Sequence, residues 1–569
     1  MDRLKNYIII FAILVSQKNI AQNKVANNSF TTSSENIIET IIVNTNTNTL
    51  IVGETLFYKI YCAIPQNKKI GLSKIAYIAL VDKNKNTVFK HKLFLNDGKA
   101  SSSYFLPSSL ETGNYKLIGY THLILNQIQK KINIVDINII NPYKNINSTL
   151  SDKSISNTTN TIIKEYAGND IKIILPKTEF NTRELVNIEV NANSKIINND
   201  EFCISVKKID ALSTAFSDIN VQEIIATDYN PIPEIRGELI HGKIVSKQIN
   251  NSLNDKVISL TIQGENKEFK ITKSNNLGKF IFNLEKSNNN KNVLLQVVDP
   301  ERSNYSLELS KPVVLDYSKL SFTDLNLKTS YVKSLEERAI ASQIENAFFT
   351  QKKDSTKITK NDIKLFDPKL ITIFNIKDYT RFTSIKETIL EIMSSRLELI
   401  KNREIYTLKV NDFDAKNEFP YPTLVLFDGI LIQNTNDILD YNTNNLESIS
   451  VLSGAYEYGT QKYNGVVHFK SKNNDYKLKE KNDAIIYPDL LRPQSNTNFY
   501  QPNYATNDIS KRIPDYRYQL LWKPSFKLNN AKNIFSFYTS DVTGLYEIII
   551  QGVDGNGKPI KSKNTITVK

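Results

Sequence analysis

The sequence predicts a mainly β protein, built of serial β-sandwich domains plus one small mixed α/β domain. Short runs rich in Ile, Val, Tyr, Phe and Thr recur along the chain and are closed by Asn, Asp, Gly or Lys clusters, the pattern of strands joined by tight turns. Within 50–140 apolar residues alternate with polar ones, as in half-buried strands, through TLIVGETLFYKIYCAI, KIAYIALVDKNKNTVFKHKLFL and GNYKLIGYTHLIL. The length of 569 residues exceeds one domain and divides into roughly four or five folded units.

Residues 1–21 come first. Arg3 and Lys5 precede an apolar run from Tyr7 to Val15, and a polar stretch ends near Ala21 and Gln22, the layout of a cleavable secretory signal. Neither this run nor any later one reaches the ~20 apolar residues that a spanning helix needs, so a chain peripheral to the membrane, with no transmembrane segment, is expected. No cysteine follows the run to take a lipid. Cys62 and Cys203 fall in different expected domains and read as buried small apolar residues. Lysine and arginine exceed acidic residues by 72 to 59, a net charge of +13, but the excess is spread among Asn-rich loops. Without a basic cluster interleaved with aromatics, nucleic acid is excluded as a partner.

Two sandwiches are expected at 40–142 and 161–230, separated by an Asn, Ser and Thr-rich linker from Asn145 to about Asn160. A third is expected at 233–315. Three tripeptides, Gly113-Asn114-Tyr115, Gly278-Lys279-Phe280 and Gly544-Leu545-Tyr546, each follow a polar turn and lead into an apolar strand. A connecting helix and exposed linker fill 325–365, with Tyr331, Leu335, Ile340, Ile344 and Phe348 at helical spacing. The mixed unit spans 370–475. There, Ser384 three residues before Glu387 forms a capping-box spacing, and Ile385, Ile389, Ile392 and Leu397 share one helical face. PTLVLFDGILI then reads as strand, Asp428-Gly429 turn and strand, because both turn residues tolerate positive φ. A final sandwich is expected at 485–569.

Several of these stretches resemble known families. SLETGNYKLIGYTHLIL, with the preceding LVDKNKNTVFKHKLFL, resembles the macroglobulin-type sandwich of α2-macroglobulin-related bacterial proteins, as two units over about 40–230. The Cys-Gly-Glu-Gln run of the protease-trapping members is missing from both YCAI and FCIS, so no thioester chemistry is implied. EIRGELIHGKIVS through VLLQVVDPE resembles a carboxypeptidase regulatory-like sandwich, with Gly237 or Gly242 at its first strand and the turn NLGKF. Such domains carry no peptidase residues. The region 370–475 resembles the plug domain of TonB-dependent receptors through Phe427-Asp428-Gly429, then Leu446, Ile449, Val451, Leu452 and Gly454, then Tyr458-Gly459, then Gly465-Val466-Val467. The resemblance implies structural roles: glycines that relieve turns, Ile449 and Val451 in the sheet, and Tyr458 packed over the turn. A receptor barrel needs some twenty strands, and about 95 residues follow Lys472, so transport by this chain is not expected. The ending SDVTGLYEIIIQG echoes the first macroglobulin-like unit, and it also resembles C-terminal secretion signals of surface proteins.

No catalytic, metal or cofactor motif is readable. His91, His122, His241 and His468 stand in separate strand-like contexts with no His-Glu-x-x-His pair, and DKNKNTVFK from Asp82 lacks the glycine and acidic residue of a calcium loop, leaving a hairpin turn. The expected function is therefore non-enzymatic: an exported protein acting by protein-protein contact at the outer membrane, with the plug-like module docking an outer-membrane protein or receptor complex. A surface-exposed adhesin exported through a C-terminal signal is the alternative. A peptidase or glycan hydrolase would need a carboxylate pair assembled only by the fold.

Overall fold

A computed structural model describes residues 38–64, 69–127, 131–144, 171–192, 201–213, 220–223, 230–249, 251–264, 266–325, 327–352, 354–356, 370–411, 420–495, 497–505, 511–528, 533–553 and 559–569. The expected secretory signal and the Asn145–Asn160 linker lie outside them. Among the described residues strands make up 49% and helices 11%, and the sheets stack as serial sandwiches, so the mainly β expectation holds. No helix among the described residues is long and apolar enough to cross a membrane.

The first sandwich runs β1 (Thr40–Thr45), β2 (Thr49–Ile51), β3 (Thr55–Ile64), β4 (Lys69–Ile70), β5 (Ile75–Val81), β6 (Thr87–Phe94), β7 (Lys99–Phe105), β8 (Gly113–Tyr120), the short helix α1 (His122–Leu125) and β9 (Lys131–Ile140). One sheet places β3 between β1 on one side and β7 with β4 on the other; the second runs β9-β8-β5-β6, with β2 parallel to β9. Leu56, Tyr58, Ile60, Ile78, Leu80 and Leu117 meet between the sheets. The Asp82 stretch is the β5–β6 hairpin turn, with Asn86 N donating to Asp82 Oδ1 at 2.8 Å. β5 does not alternate: all seven residues are buried. Its outer face is covered by a strap in which Val313, Leu315, Tyr317, Leu320 and Phe322 pack back on this core, so both faces of β5 are buried. Those strap residues leave the third sandwich, whose expected boundary at 315 is therefore too late.

Four strands follow: β10 (Ile171–Ile174), β11 (Glu179–Phe180), β12 (Leu185–Ala192) and β13 (Glu201–Lys208). They do not close a sandwich among themselves, contrary to the expected unit at 161–230. β14 (Asn220–Glu223) returns to the first sandwich as an edge beside β9. The partners of β12 and β13 arrive at the far end of the chain.

The third sandwich contains β15 (Glu238–Ser246), β16 (Val257–Ile262), β17 (Glu268–Lys273), β18 (Lys279–Leu284), β19 (Val293–Val298) and β20 (Tyr305–Leu309), in sheets β18-β15-β20 and β17-β16-β19. Gly278 has φ +73°, and a Cβ there would lie 2.6 Å from Ile244 O, which explains the glycine of the NLGKF turn. Helix α2 (Val332–Ala347) forms where expected, but its buried face is Leu335, Arg338, Ala339, Ala341 and Ser342, while Ile340 is exposed. The Arg338 guanidinium draws that face inward: it donates to Glu54 at 2.6 and 2.8 Å, to Asp210 at 3.2 Å and to Thr49 O at 3.0 Å. Part of the expected linker, β21 (Ser355–Thr356), is a strand; 357–365 lie outside the described residues.

The mixed unit holds β22 (Thr372–Asn375), α3 (Ile385–Ile392), β23 (Leu397–Asn402), β24 (Ile405–Val410), β25 (Leu424–Phe427), β26 (Ile430–Leu431), α4 (Asn436–Leu439), β27 (Leu446–Tyr458) and β28 (Gln461–Ser471). The Ser384–Glu387 capping box is present in full. The helix stops at Ile392, and Leu397, expected on its face, starts a hairpin strand instead, still buried against the same core. The sheet order is β22-β27-β28-β25-β26, with β25 parallel to β28.

After this unit β29 (Ile485–Ile486) pairs with β19 of the third sandwich, and β30 (Thr497–Asn498) pairs with β21. Then β31 (Gln519–Lys527), β32 (Asn533–Tyr538), β33 (Gly544–Val553) and β34 (Pro559–Val568) complete the second sandwich, in sheets β10-β12-β32 and β11-β34-β33-β13-β31. The expected separate sandwiches at 161–230 and 485–569 are thus two halves of one. The physical reason is that β13 sits between β31 and β33, so without the C-terminal half both of its edges would lack hydrogen-bond partners. The echo between the two ends has a shared geometry: Tyr115 donates to Glu111 O and Tyr546 to Val542 O, each at 2.8 Å and four residues back.

Candidate functional site

The residues singled out in the mixed unit converge on one sheet. Asp428 and Gly429 both take positive φ, +48° and +83°, in the two-residue turn joining β25 to β26. Asp428 is also buried, and its carboxylate accepts from Ser471 N at 2.8 Å, Ser471 Oγ at 2.6 Å and Tyr476 N at 3.0 Å. Ile449 and Val451 lie in the core beneath α3. Gly454 occupies the register shift between Leu452 and Ala455. Gly465 has φ +79°, and a Cβ there would lie 2.6 Å from Val410 Cβ.

Tyr458 reaches across to the third sandwich. Its ring stacks on Phe269 of the third sandwich at 5.3 Å, and its hydroxyl donates to Phe269 O at 2.5 Å. Burial raises its pKa, so the phenol stays protonated. Gly459 follows at φ +60° against Ile271, and Thr261 Oγ1 donates to Gly429 O at 3.0 Å. Around them Phe269 and Ile271 join Leu424, Leu426, Leu431, Leu452, Tyr463 and Val466 in one apolar cluster. These motif residues hold the mixed unit's sheet to the third sandwich.

A second constellation escaped the sequence reading. The first and third sandwiches meet at a solvent-open cleft of about 120 Å³. β6 presents Lys90 and Lys92, β5 presents Tyr77, α1 His122, the connection before β15 Glu234, and β15 itself Glu238 and His241. Lys92 Nζ lies 3.1 Å from Glu238 Oε1, and Arg492 Nη1 lies 2.9 Å from Glu238 Oε2, off the line of a hydrogen bond. Glu234 Oε2 accepts from Tyr77 OH at 2.8 Å and its Oε1 from Leu239 N at 3.1 Å, and His122 Nδ1 stands 3.4 Å from the same Oε2 and 3.1 Å from Ile232 O. Burial raises the pKa of both carboxyls and of Tyr77, lowers that of His241, and depresses His122 to about 4 and Lys90 to about 8. His122 and His241, expected in separate surroundings, share this cleft, and His122 is on a helix rather than a strand. Alternation on β6 could have placed Lys90 and Lys92 on one face; nothing in the sequence joins them to Glu234 and Glu238.

The two cysteines are free and buried, as expected. Cys203 Sγ donates to Gln551 O at 3.4 Å, and burial raises the pKa of both thiols, which keeps them protonated. His91 on β6 sits 2.7 Å from Tyr58 OH, and His468 on β28 is buried in the mixed unit. Among the described residues no group of three or more His, Cys, Asp or Glu side chains could hold a metal ion.

No family model matches the chain, and no curated protein matches it. Among solved structures, a mutant Salmonella α2-macroglobulin is 8% identical over 93% of this chain and 39% of its own, with a TM-score of 0.24. Escherichia coli α2-macroglobulin activated by porcine elastase is 8% identical over 93% of this chain and 44% of its own, also with a TM-score of 0.24. A tetra-tandem repeat from the extending region of a large adhesion protein is 8% identical over 94% of this chain and 99% of its own, with a TM-score of 0.12. This chain spans about two fifths of the macroglobulins' length. Likenesses at such scores carry no argument, and the fold rests on the strand pairing itself.

Proposed function

We propose that this is a non-enzymatic exported protein that acts by protein-protein contact at the outer membrane, with an outer-membrane protein or receptor complex as partner and the plug-like mixed unit as the docking module. One observation carries the docking part. Among the described residues β22 is hydrogen-bonded to β27 on one side only, and Ile373 within it and Leu370 just before it are 59% and 61% exposed. An unpaired edge with apolar side chains invites a partner's strand. The opposite part of the sheet is already engaged with the third sandwich, so the edge is the available side. Support for a non-enzymatic role comes from the cleft, where Glu234 and Glu238 are each engaged by neighbouring donors or cations.

Crosslinking and fractionation of native cells test the reading. Recovery with an outer-membrane protein, and loss of that crosslink in Ile373→Glu, is the expected result; recovery in the cytosol, or no outer-membrane partner, ends it. The adhesin reading is weaker for a specific reason. Its C-terminal export signal would be β34, yet β34 lies between β11 and β33 with Ile566 and Val568 in the core. A surface-exposed chain lacking 559–569 would argue against that strand being an export signal.

A further inference from the structure

Two lysines that line the cleft between the first and third sandwiches, Lys90 and the exposed Lys311, make no ion pair at contact distance among the described residues. Lys92 is matched by Glu238, and Glu238 in turn by Arg492. Lys90, on the same face of β6, has no carboxylate at ion-pair distance among the described residues. Its Nζ donates to Val313 O at 2.9 Å and lies 5.2 and 5.7 Å from the ring centroids of Tyr77 and Tyr120. An ammonium carries three donors, so this one keeps capacity for an anionic oxygen. The walls beside it are apolar: Pro231, Ile232, Leu309, Val313 and Leu491 line the cleft, with Ile232 and Leu491 exposed at its rim. Clefts at domain junctions with apolar walls and one or two placed polar groups are the usual form of a small-ligand site; this one is smaller than most, about 120 Å³, and open to solvent. Because Glu234 and Glu238 share the floor, a dianion such as phosphate would face two carboxyl groups. A singly charged anion on an apolar body meets less of that opposition and uses the apolar wall.

We propose that this cleft binds a carboxylate carried on an apolar body, with Lys90 Nζ as its ion-pair partner and Ile232, Val313 and Leu491 as the apolar wall. The chemistry is common to a medium-chain fatty acid and to an apolar C-terminal residue of a peptide. It does not rest on the outer-membrane reading, since the site is built wholly from this chain.

Isothermal titration of the full chain separates the sources, using decanoate below its micelle-forming concentration and the tripeptide Leu-Leu-Leu as free acid and as amide. Saturable one-to-one binding by either acid, none by the amide, and a tenfold or greater loss in Lys90→Gln with retention in Lys90→Arg are expected. Decanoate alone binding identifies the fatty acid, and the tripeptide acid alone identifies the peptide terminus. Leu491→Asp reads the apolar wall independently should Lys90→Gln fail a thermal-unfolding check, and it too weakens binding. The proposal is overturned if neither acid saturates, if the amide binds as well as the acid, or if binding survives unchanged in the folded variants.

Discussion

Arg338 is buried with Glu54 and Asp210 around it, linking α2 to the first sandwich and to the end of the second sandwich's first half. Removing one partner of a buried ion pair leaves the other charge unanswered, so Arg338→Met is expected to lose about 3–5 kcal/mol in urea unfolding. A loss under ~1 kcal/mol would show that water replaces the guanidinium. His468 gives a pH signature. Burial, and then the charges of Lys267 and Lys470, depress its pKa to about 3. An unfolded histidine takes up its proton near pH 6.5, so the stability from keeping His468 neutral is full above that value and is lost as pH falls toward 3. Between pH 6.5 and 4.5 the loss is roughly 2 kcal/mol, and His468→Phe removes it. Glu234 and Glu238, whose pKa values are raised, contribute in the opposite direction, so the readout is the difference in slope between variant and parent. Gly465→Ala strains a positive φ and drives a methyl into Val410; a destabilisation of roughly 2 kcal/mol or more in the same assay is expected.

At the scale of elements, the strands of the second sandwich depend on each other across the whole chain. β12 pairs with β32 and β13 with β31 and β33, so truncation after Tyr516 removes three of the five strands of one sheet and one of the three strands of the other. Val186, Ile188, Phe202 and Ile204 then lose the apolar layer supplied by Leu520, Ile548 and Ile550. In limited proteolysis of that truncated chain, 171–208 is expected to be cut first while 238–309 persists. Equal resistance would mean that the first half holds structure alone. Helix α2 ties the ends of the insert together: Asp210 meets Arg338, Tyr516 N donates to Glu345 at 2.7 Å, and Lys352 donates to Pro514 O at 2.7 Å.

For the whole molecule, residues 209–518 are an insertion within the second sandwich, carrying the third sandwich and the mixed unit, and they also lend β14 and the 313–322 strap to the first. Native-state hydrogen exchange should therefore report one opening energy for β12 and β32, distinct from that of β16 and β19. Protection of β12 surviving the opening of β32 would contradict this coupling. The three sandwiches and the mixed unit are stitched by polar contacts as well as apolar ones, Lys59 to Glu201 at 2.6 Å and Asn46 to Gln519 at 3.0 Å among them.

Local order was legible from the residues alone. The strand-rich pattern, the Ser384–Glu387 capping box, the positive-φ turn at Asp428-Gly429 and the glycine-led entries to β8 and β33 follow from periodicity and backbone preference, which act within a few residues. Periodicity marks a strand and its apolar face but does not name its partner, so two β-rich stretches at 161–230 and 485–569 looked like separate sandwiches until their pairing joined them. The same limit hid the cleft, because Lys90, Glu234 and Leu491 are far apart in the chain. Tyr458 was expected to pack over a turn; it ends β27, and the ring it stacks on, Phe269, comes from another sandwich. Short-range preferences suffice to mark which segments become strands and turns; which strands share a sheet and which charges face each other rests on burial and pairing between residues hundreds of positions apart.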